Sequence, residues 1–132
     1  MIVLDASVVV DLLLHLPPHA EAVEARLLAE AGELAAPHLL DAEVAGVLRR
    51  HVRARELPAP FAEAVLADLA ELPLVRYPHT PLLPRAFALR EKVTVYDGLY
   101  LALAEALEAP LLTRDRALAH VPACAAAVEV VG

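Results

Sequence analysis

Short apolar runs alternate with longer stretches of helical periodicity along this chain, and prolines separate many of them. The opening run predicts a strand over 2–5, then a helix over about 6–15 that Pro17 and Pro18 end. A second helix is expected over roughly 19–31, stopped near Gly32, and a short strand over 33–36. Pro37 then opens a long helix to about 55, at a position helices tolerate. Pro58 and Pro60 mark a turn, and Phe61, Val65, Leu66 and Leu69 give helical spacing over 60–72. Residues 73–77 read as a strand or an extended link, and 82–92 as a helix. An apolar TVY run precedes a helix over 97–109 that is apolar on most sides, as a buried helix is. A strand over 110–113, a short helix over 115–120 and a strand over 127–131 close the chain.

Strands alternating with helices imply an α/β fold: a mostly parallel central sheet flanked by helices, an α/β/α sandwich with right-handed crossovers. Its 132 residues make one domain, 1–132. Such sheets bind ligands at the carboxyl ends of their strands.

Four acids stand out against this frame. In IVL-Asp5-ASVVVDLLL, TVY-Asp97-GLYLALAEAL and LLTR-Asp115-RALAH, an apolar run ends, an Asp follows, and a helical stretch begins. Each Asp taken alone is better explained as a helix cap, because its oxygens accept the free N–H groups there. Glu43 is different: it lies on or beside the inward stripe of Leu40, Val44, Val47 and Leu48. A carboxylate there requires a metal, a buried arginine, or a flank position reaching solvent. Acids converging on one sheet edge repel one another and so imply a divalent cation and phosphodiester chemistry. Ser7 and Thr113, two residues from Asp5 and Asp115, are placed to orient a carboxylate; local bonding at a helix start is the plainer account of Ser7.

Composition changes the picture in three ways. Hydrophobic residues make up 59%, inflated by alanine, which is ample for a core and leaves apolar surface for a partner. The formal net charge of -7 disfavours generic nucleic-acid binding unless metal neutralises the acids and the arginines are grouped. Cys124 is the single cysteine, so neither an internal disulfide nor a thiolate metal site is expected. The apolar N-terminus lacks a basic segment and carries Asp5 and Asp11, so it reads as neither signal peptide nor membrane span, and a reducing, cytoplasmic setting is the expectation. His15 and His19 have the spacing of helix metal ligands, but Pro17 and Pro18 intervene, and the other histidines are scattered.

The ordered set IVLDAS, PHLLDAEVAGVLRR, TVYDGLYLALAEAL and LLTRDRAL resembles the PIN domain, and within it the VapC-type toxin ribonucleases of bacterial and archaeal toxin–antitoxin pairs. The resemblance spans nearly the whole chain. It implies a Mg²⁺- or Mn²⁺-dependent endoribonuclease whose one or two ions are held by Asp5, Glu43, Asp97 and Asp115, with Glu43 as ligand or base. Thr113 and Ser7 match the hydroxyls beside the last and first acids. Gly98 stands where many relatives have Ala, which is expected to loosen the helix start without removing a ligand. A homodimer and a cognate antitoxin, whose tail occupies a groove near the active site, are implied too, and the stripe of 60–72 serves such a contact or the core.

Arg114 and Arg116 bracket Asp115 and are candidate RNA contacts, whereas Arg49, Arg50, Arg53 and Arg55 are better read as helix-end charge. Aromatic content of 4% argues against a base-stacking platform and for a structured RNA read by shape. Transfer RNA enters only through the resemblance. Two alternatives stand beside the nuclease: a degenerate PIN module that binds RNA or protein, and, further behind, a haloacid-dehalogenase-type phosphatase. The phosphatase chemistry wants a second Asp where Ser7 stands and a Lys that only Lys92 offers.

Overall fold

The computed structural model describes residues 1–132. Five strands form one parallel sheet: β1 (Ile2–Leu4), β2 (Leu34–Pro37), β3 (Leu74–Tyr77), β4 (Leu111–Thr113) and β5 (Val128–Val130). Their order is β3-β2-β1-β4-β5, with Val3 opposite both Ala35 and Leu111. Six helices cover it: α1 (Ala6–Leu14), α2 (His19–Leu28), α3 (Leu39–Arg53), α4 (Ala59–Glu71), α5 (Leu83–Ala88) and α6 (Val95–Leu107). Two 3₁₀ segments, Thr80–Leu82 and Arg116–His120, precede α5 and follow β4. No helix is long and apolar enough to cross a membrane.

The central strands are buried on both faces, as parallel strands under helices must be: Ile2, Val3, Leu4, Leu111 and Leu112 are at most 2% exposed. From β1 the chain runs to β2 on one side, and β4 pairs on the other. That reversal opens a crevice at the carboxyl ends of β1 and β4, and Asp5 and Asp115 lie just beyond those ends.

Four boundaries differ from the sequence reading, each for a local reason. Pro37 ends β2 rather than opening a helix: it pairs with Tyr77 of β3 and, lacking an N–H, can donate no bond toward β1, whose register with β2 stops at Val3 and Ala35. The helix expected over 97–109 begins two residues earlier, within the TVY run: Thr94 caps α6, its Oγ1 accepting from the Asp97 N–H at 3.2 Å, and Val95 and Tyr96 begin the helix. Asp97 therefore lies in the first turn of α6 and not at its entrance. The helix expected over 82–92 shrinks to α5, because Pro81 and Pro84 shape its start and the backbone leaves helical geometry at Leu89. The helix at 115–120 is 3₁₀, with Asp115 at its entrance.

Gly98 does more than loosen a helix. It is buried where α6 meets α5, and a Cβ there would stand 3.1 Å from the Cα, Cβ and O of Ala86. Gly98→Ala sets a helix-propensity gain of about 1 kcal/mol against that crowding. Gly98→Val has no such offset and is expected to destabilise the fold by about 1–3 kcal/mol, read as a lowered melting temperature. An unchanged value would mean that α5 yields freely.

Candidate active site

Asp5 directly follows β1 with extended backbone, φ -77 and ψ 153, and occupies the N-cap position of α1. Its carboxylate makes no capping bond, which removes the simple explanation of this acid. Instead Oδ2 accepts from the Thr113 hydroxyl at 2.6 Å and from the Ser7 hydroxyl at 2.9 Å. Each hydroxyl oxygen in turn accepts a backbone N–H, Thr113 from Asp115 at 3.0 Å and Ser7 from Arg114 at 3.2 Å. The two hydroxyls thus relay the position of Asp5 to the chain leaving β4. Ser7 bonds the acid it was read beside, while Thr113, read beside Asp115, donates to Asp5 instead. Oδ1 of Asp5 takes no protein hydrogen bond and is not sealed from solvent.

Asp115 does cap: its Oδ1 accepts from the Ala117 N–H at 2.9 Å. Asp97 takes no such role. Burial, together with the charges of Asp5, Asp115 and Glu43, pushes its carboxyl up to about 6. The three acids that raise the fourth come from three other segments of the chain.

Glu43 lies half-buried on α3, and its Oε1 accepts from the Tyr100 hydroxyl at 2.6 Å. The side-chain partner is not an arginine but a tyrosine, wholly buried on α6. Burial still raises the Glu43 carboxyl, with the Asp5 charge adding to it and the Tyr100 hydrogen bond opposing. Tyr100 was not singled out from the sequence. Its signal was a polar tip three residues after Asp97 on a helix expected to be buried, since a buried Tyr O–H needs a partner.

No salt bridge reaches any of the four acids. The candidate RNA contacts are both engaged: Arg114 Nη1 donates to Asp11 Oδ1 at 3.0 Å, and Arg116 Nη2 to the Gly132 carbonyl at 2.5 Å. As the side chains stand, no three His, Cys, Asp or Glu residues are grouped tightly enough to hold an ion. The donor set still suits a hard divalent cation: several carboxylate oxygens, one unpaired oxygen on Asp5, and no cation from the protein to offset them. None of the cavities is lined by these acids, and the largest, about 460 Å³ beside Asp41 and Arg76, lies elsewhere.

Comparison with known proteins agrees with this geometry. The family model described as "PIN domain" matches residues 2–123. The chain is 45% identical over 130 residues to Ribonuclease VapC1 of Mycobacterium tuberculosis, covering 98% of this chain and 96% of that protein. It is 41% identical over 131 residues to Ribonuclease VapC12 of the same organism, covering 99% of each. Among solved structures, the fold resembles VapBC2 from Rickettsia felis bound to a DNA fragment from their promoter, with a TM-score of 0.72 over 100% of both chains at 18% identity.

Proposed function

We infer the chemistry from one premise: the chain belongs to the PIN-domain family, as a VapC-type ribonuclease. On that premise Asp5, Glu43, Asp97 and Asp115 hold Mg²⁺ or Mn²⁺, one or two ions, and the protein hydrolyses RNA phosphodiester bonds as the toxin of a toxin–antitoxin pair. The observation that carries this reading is the uncompensated charge: Asp97 is pushed up to about 6 by burial and three neighbouring acids, with no salt bridge to offset them. Such like charges cost stability and call for a cation to offset them.

Bound there, a divalent cation supplies positive charge for the phosphoryl oxygens and activates water. The chain's own residues do the rest. Thr113 and Ser7 fix Asp5 by its Oδ2, leaving Oδ1 free as a ligand. Tyr100 holds Glu43 by Oε1 and favours its ionised form, as ligand or base. Asp97, part-buried, would serve as a ligand in its ionised form, which prevails above about pH 6. The -7 net charge stops being an obstacle once the four acids are neutralised, and exposed Arg49, Arg50 and Arg53 on α3 are available to phosphate.

The phosphatase alternative loses its support, because Ser7 is committed to Asp5 Oδ2 where that chemistry wants an acid. A degenerate binding module is disfavoured by all four acids being present and close enough to perturb one another. A cognate antitoxin, a second copy and an RNA substrate, with transfer RNA among the options, belong to the same reading, as does a reducing, cytoplasmic setting for the free Cys124. The stripe of α4 divides between the two expectations: Ala62, Val65 and Leu69 are core, while Phe61 and Leu66 stay 47% and 38% exposed and offer apolar surface to a partner.

The test is RNA cleavage by purified protein with Mg²⁺, with Mn²⁺ and with EDTA, beside Asp5→Asn. The substitution removes ligand charge at constant size. Cleavage is expected only with metal, and to fall on the order of 100-fold or more in the variant with its fold retained. Parent-rate cleavage by Asp5→Asn would sink the site assignment. Metal binding without cleavage would mean the right site and the wrong RNA.

A further inference from the structure

Asp11 is a buried acid that the chemistry above does not use. It sits in α1 among Val8, Val9 and Val10, and is 1% exposed. Its Oδ1 accepts from Arg114 Nη1 at 3.0 Å, while Oδ2 is buried without a partner. Burial raises its carboxyl, and the Arg114 charge only partly opposes this. A leucine in this place would extend an apolar run that already reads VVV before it and LLL after it. Such a half-satisfied pair, its acid buried and its arginine 40% exposed, is a poor device for stability, because desolvating the acid offsets most of the attraction. Geometry supplies the better account.

Arg114 lies between Thr113 and Asp115. Three bonds tie this segment to the turn and helix that begin at Asp5. Thr113 Oγ1 donates to Asp5 Oδ2, the Arg114 N–H donates to Ser7 Oγ, and the Arg114 guanidinium reaches Asp11 further along α1. The first two bonds fix Asp5. Only the third pins the residue next to Asp115 through its side chain, and Asp115 itself is exposed and held by short-range bonds alone. We propose that Arg114 is a positioning residue: Asp11 anchors its guanidinium, and the pair sets the segment carrying Asp115 against Asp5, fixing the spacing of the metal-holding acids. Its task is thus not RNA contact. The inference rests on the reading of Asp5 and Asp115 as metal ligands.

The experiment is Mn²⁺ titration calorimetry on the full chain, with thermal unfolding measured in parallel. The central variant is the double replacement Asp11→Leu with Arg114→Leu, which exchanges the pair for apolar packing and is expected to fold with a melting temperature at or above the parent's. Its Mn²⁺ dissociation constant should rise about 10-fold or more, the scale seen when a group orienting a metal ligand is lost. Arg114→Lys keeps the charge but not the planar fork, and should weaken Mn²⁺ severalfold while recovering part of the loss. A double variant that folds and binds Mn²⁺ within twofold of the parent overturns the proposal and leaves the pair as packing only. If the double variant does not fold, Arg114→Lys decides: weakened Mn²⁺ supports positioning, parent-like affinity overturns it. An Arg114→Lys protein with parent-like Mn²⁺ affinity but a raised KM for RNA overturns it too, in favour of substrate contact. Asp97→Asn is the separate control. If it binds Mn²⁺ as the parent does, the metal-site reading itself has failed, whatever Arg114 does.

Discussion

Asp97→Asn is expected to raise the melting temperature of the metal-free protein while removing its metal-dependent cleavage. Both effects come from one charge. Burial and the neighbouring Asp5, Asp115 and Glu43 raise the Asp97 carboxyl from 3.8 to about 6, so the ionised form is the costly one in the folded chain. The sign follows from linkage. The stability that the neutral carboxyl confers is fully present below about pH 4 and is lost as pH rises through about 6. Asparagine stays neutral throughout, so the variant and the parent should separate between those values and stay apart at neutral pH. Discounted for partial exposure, the gap is on the order of 1–2 kcal/mol, a few degrees for a domain of this size. Saturating Mg²⁺ should close it by stabilising the parent and not the variant. Cleavage should fall on the order of 100- to 1000-fold, as when a group stabilising charge in the transition state is removed. Calorimetric scans at pH 5 and pH 7.5, with Mg²⁺ and with EDTA, measure the first effect, and RNA cleavage the second. A variant less stable than the parent at pH 7.5 without metal would mean that the acids do not repel as described.

Much of this site was legible before any coordinates. The β1–α1 unit is readable because IVL is too short and apolar to be anything but a buried strand, and Asp5 must then leave its end. Ser7 could be placed because a spacing of two from an acid at a strand end confines its hydroxyl to that acid's reach, whereas Thr113, read beside Asp115, donates to Asp5 from 108 residues away. What stayed hidden were pairings across the sequence. Glu43 and Tyr100 are 57 residues apart, and Asp11 and Arg114 are 103 apart. Local pattern says that a buried acid needs a partner but cannot say which one the fold delivers. Tyr100 had the complementary need, a buried hydroxyl, and matching the two unmet groups would have found the bond. Asp11 was visible as an acid inside an apolar run, yet Arg114 was read for RNA because it flanks Asp115. The start of α6 was placed two residues late for a local reason: the β-branched and aromatic residues of the TVY run have modest helix propensity, but Thr94 offers a cap, and burial of Leu99 to Ala104 rewards the helix.

Tyr100→Phe carries the second large effect, because it deletes one oxygen and leaves the packing shape in place. That oxygen donates to Glu43 Oε1 at 2.6 Å, so it joins α6 to α3. Removing it leaves a half-buried carboxylate without its donor, which costs about 1–3 kcal/mol of stability. The chemical consequence is separable from that loss. Burial and the Asp5 charge already hold Glu43 above the usual carboxylate range, and the Tyr100 hydrogen bond is what opposes them. Without it Glu43 moves further up, keeps its proton to higher pH, and is ionised less often when metal or substrate arrives. Cleavage should therefore fall about 10-fold or more near neutrality, with the acid limb of the pH–rate profile displaced to higher pH and the loss shrinking toward pH 9. In a Glu43→Gln background, the same Tyr100→Phe change should add little, since the group it acts through is gone. A uniform drop across all pH values, equal in both backgrounds, would make Tyr100 a core residue that only happens to touch Glu43.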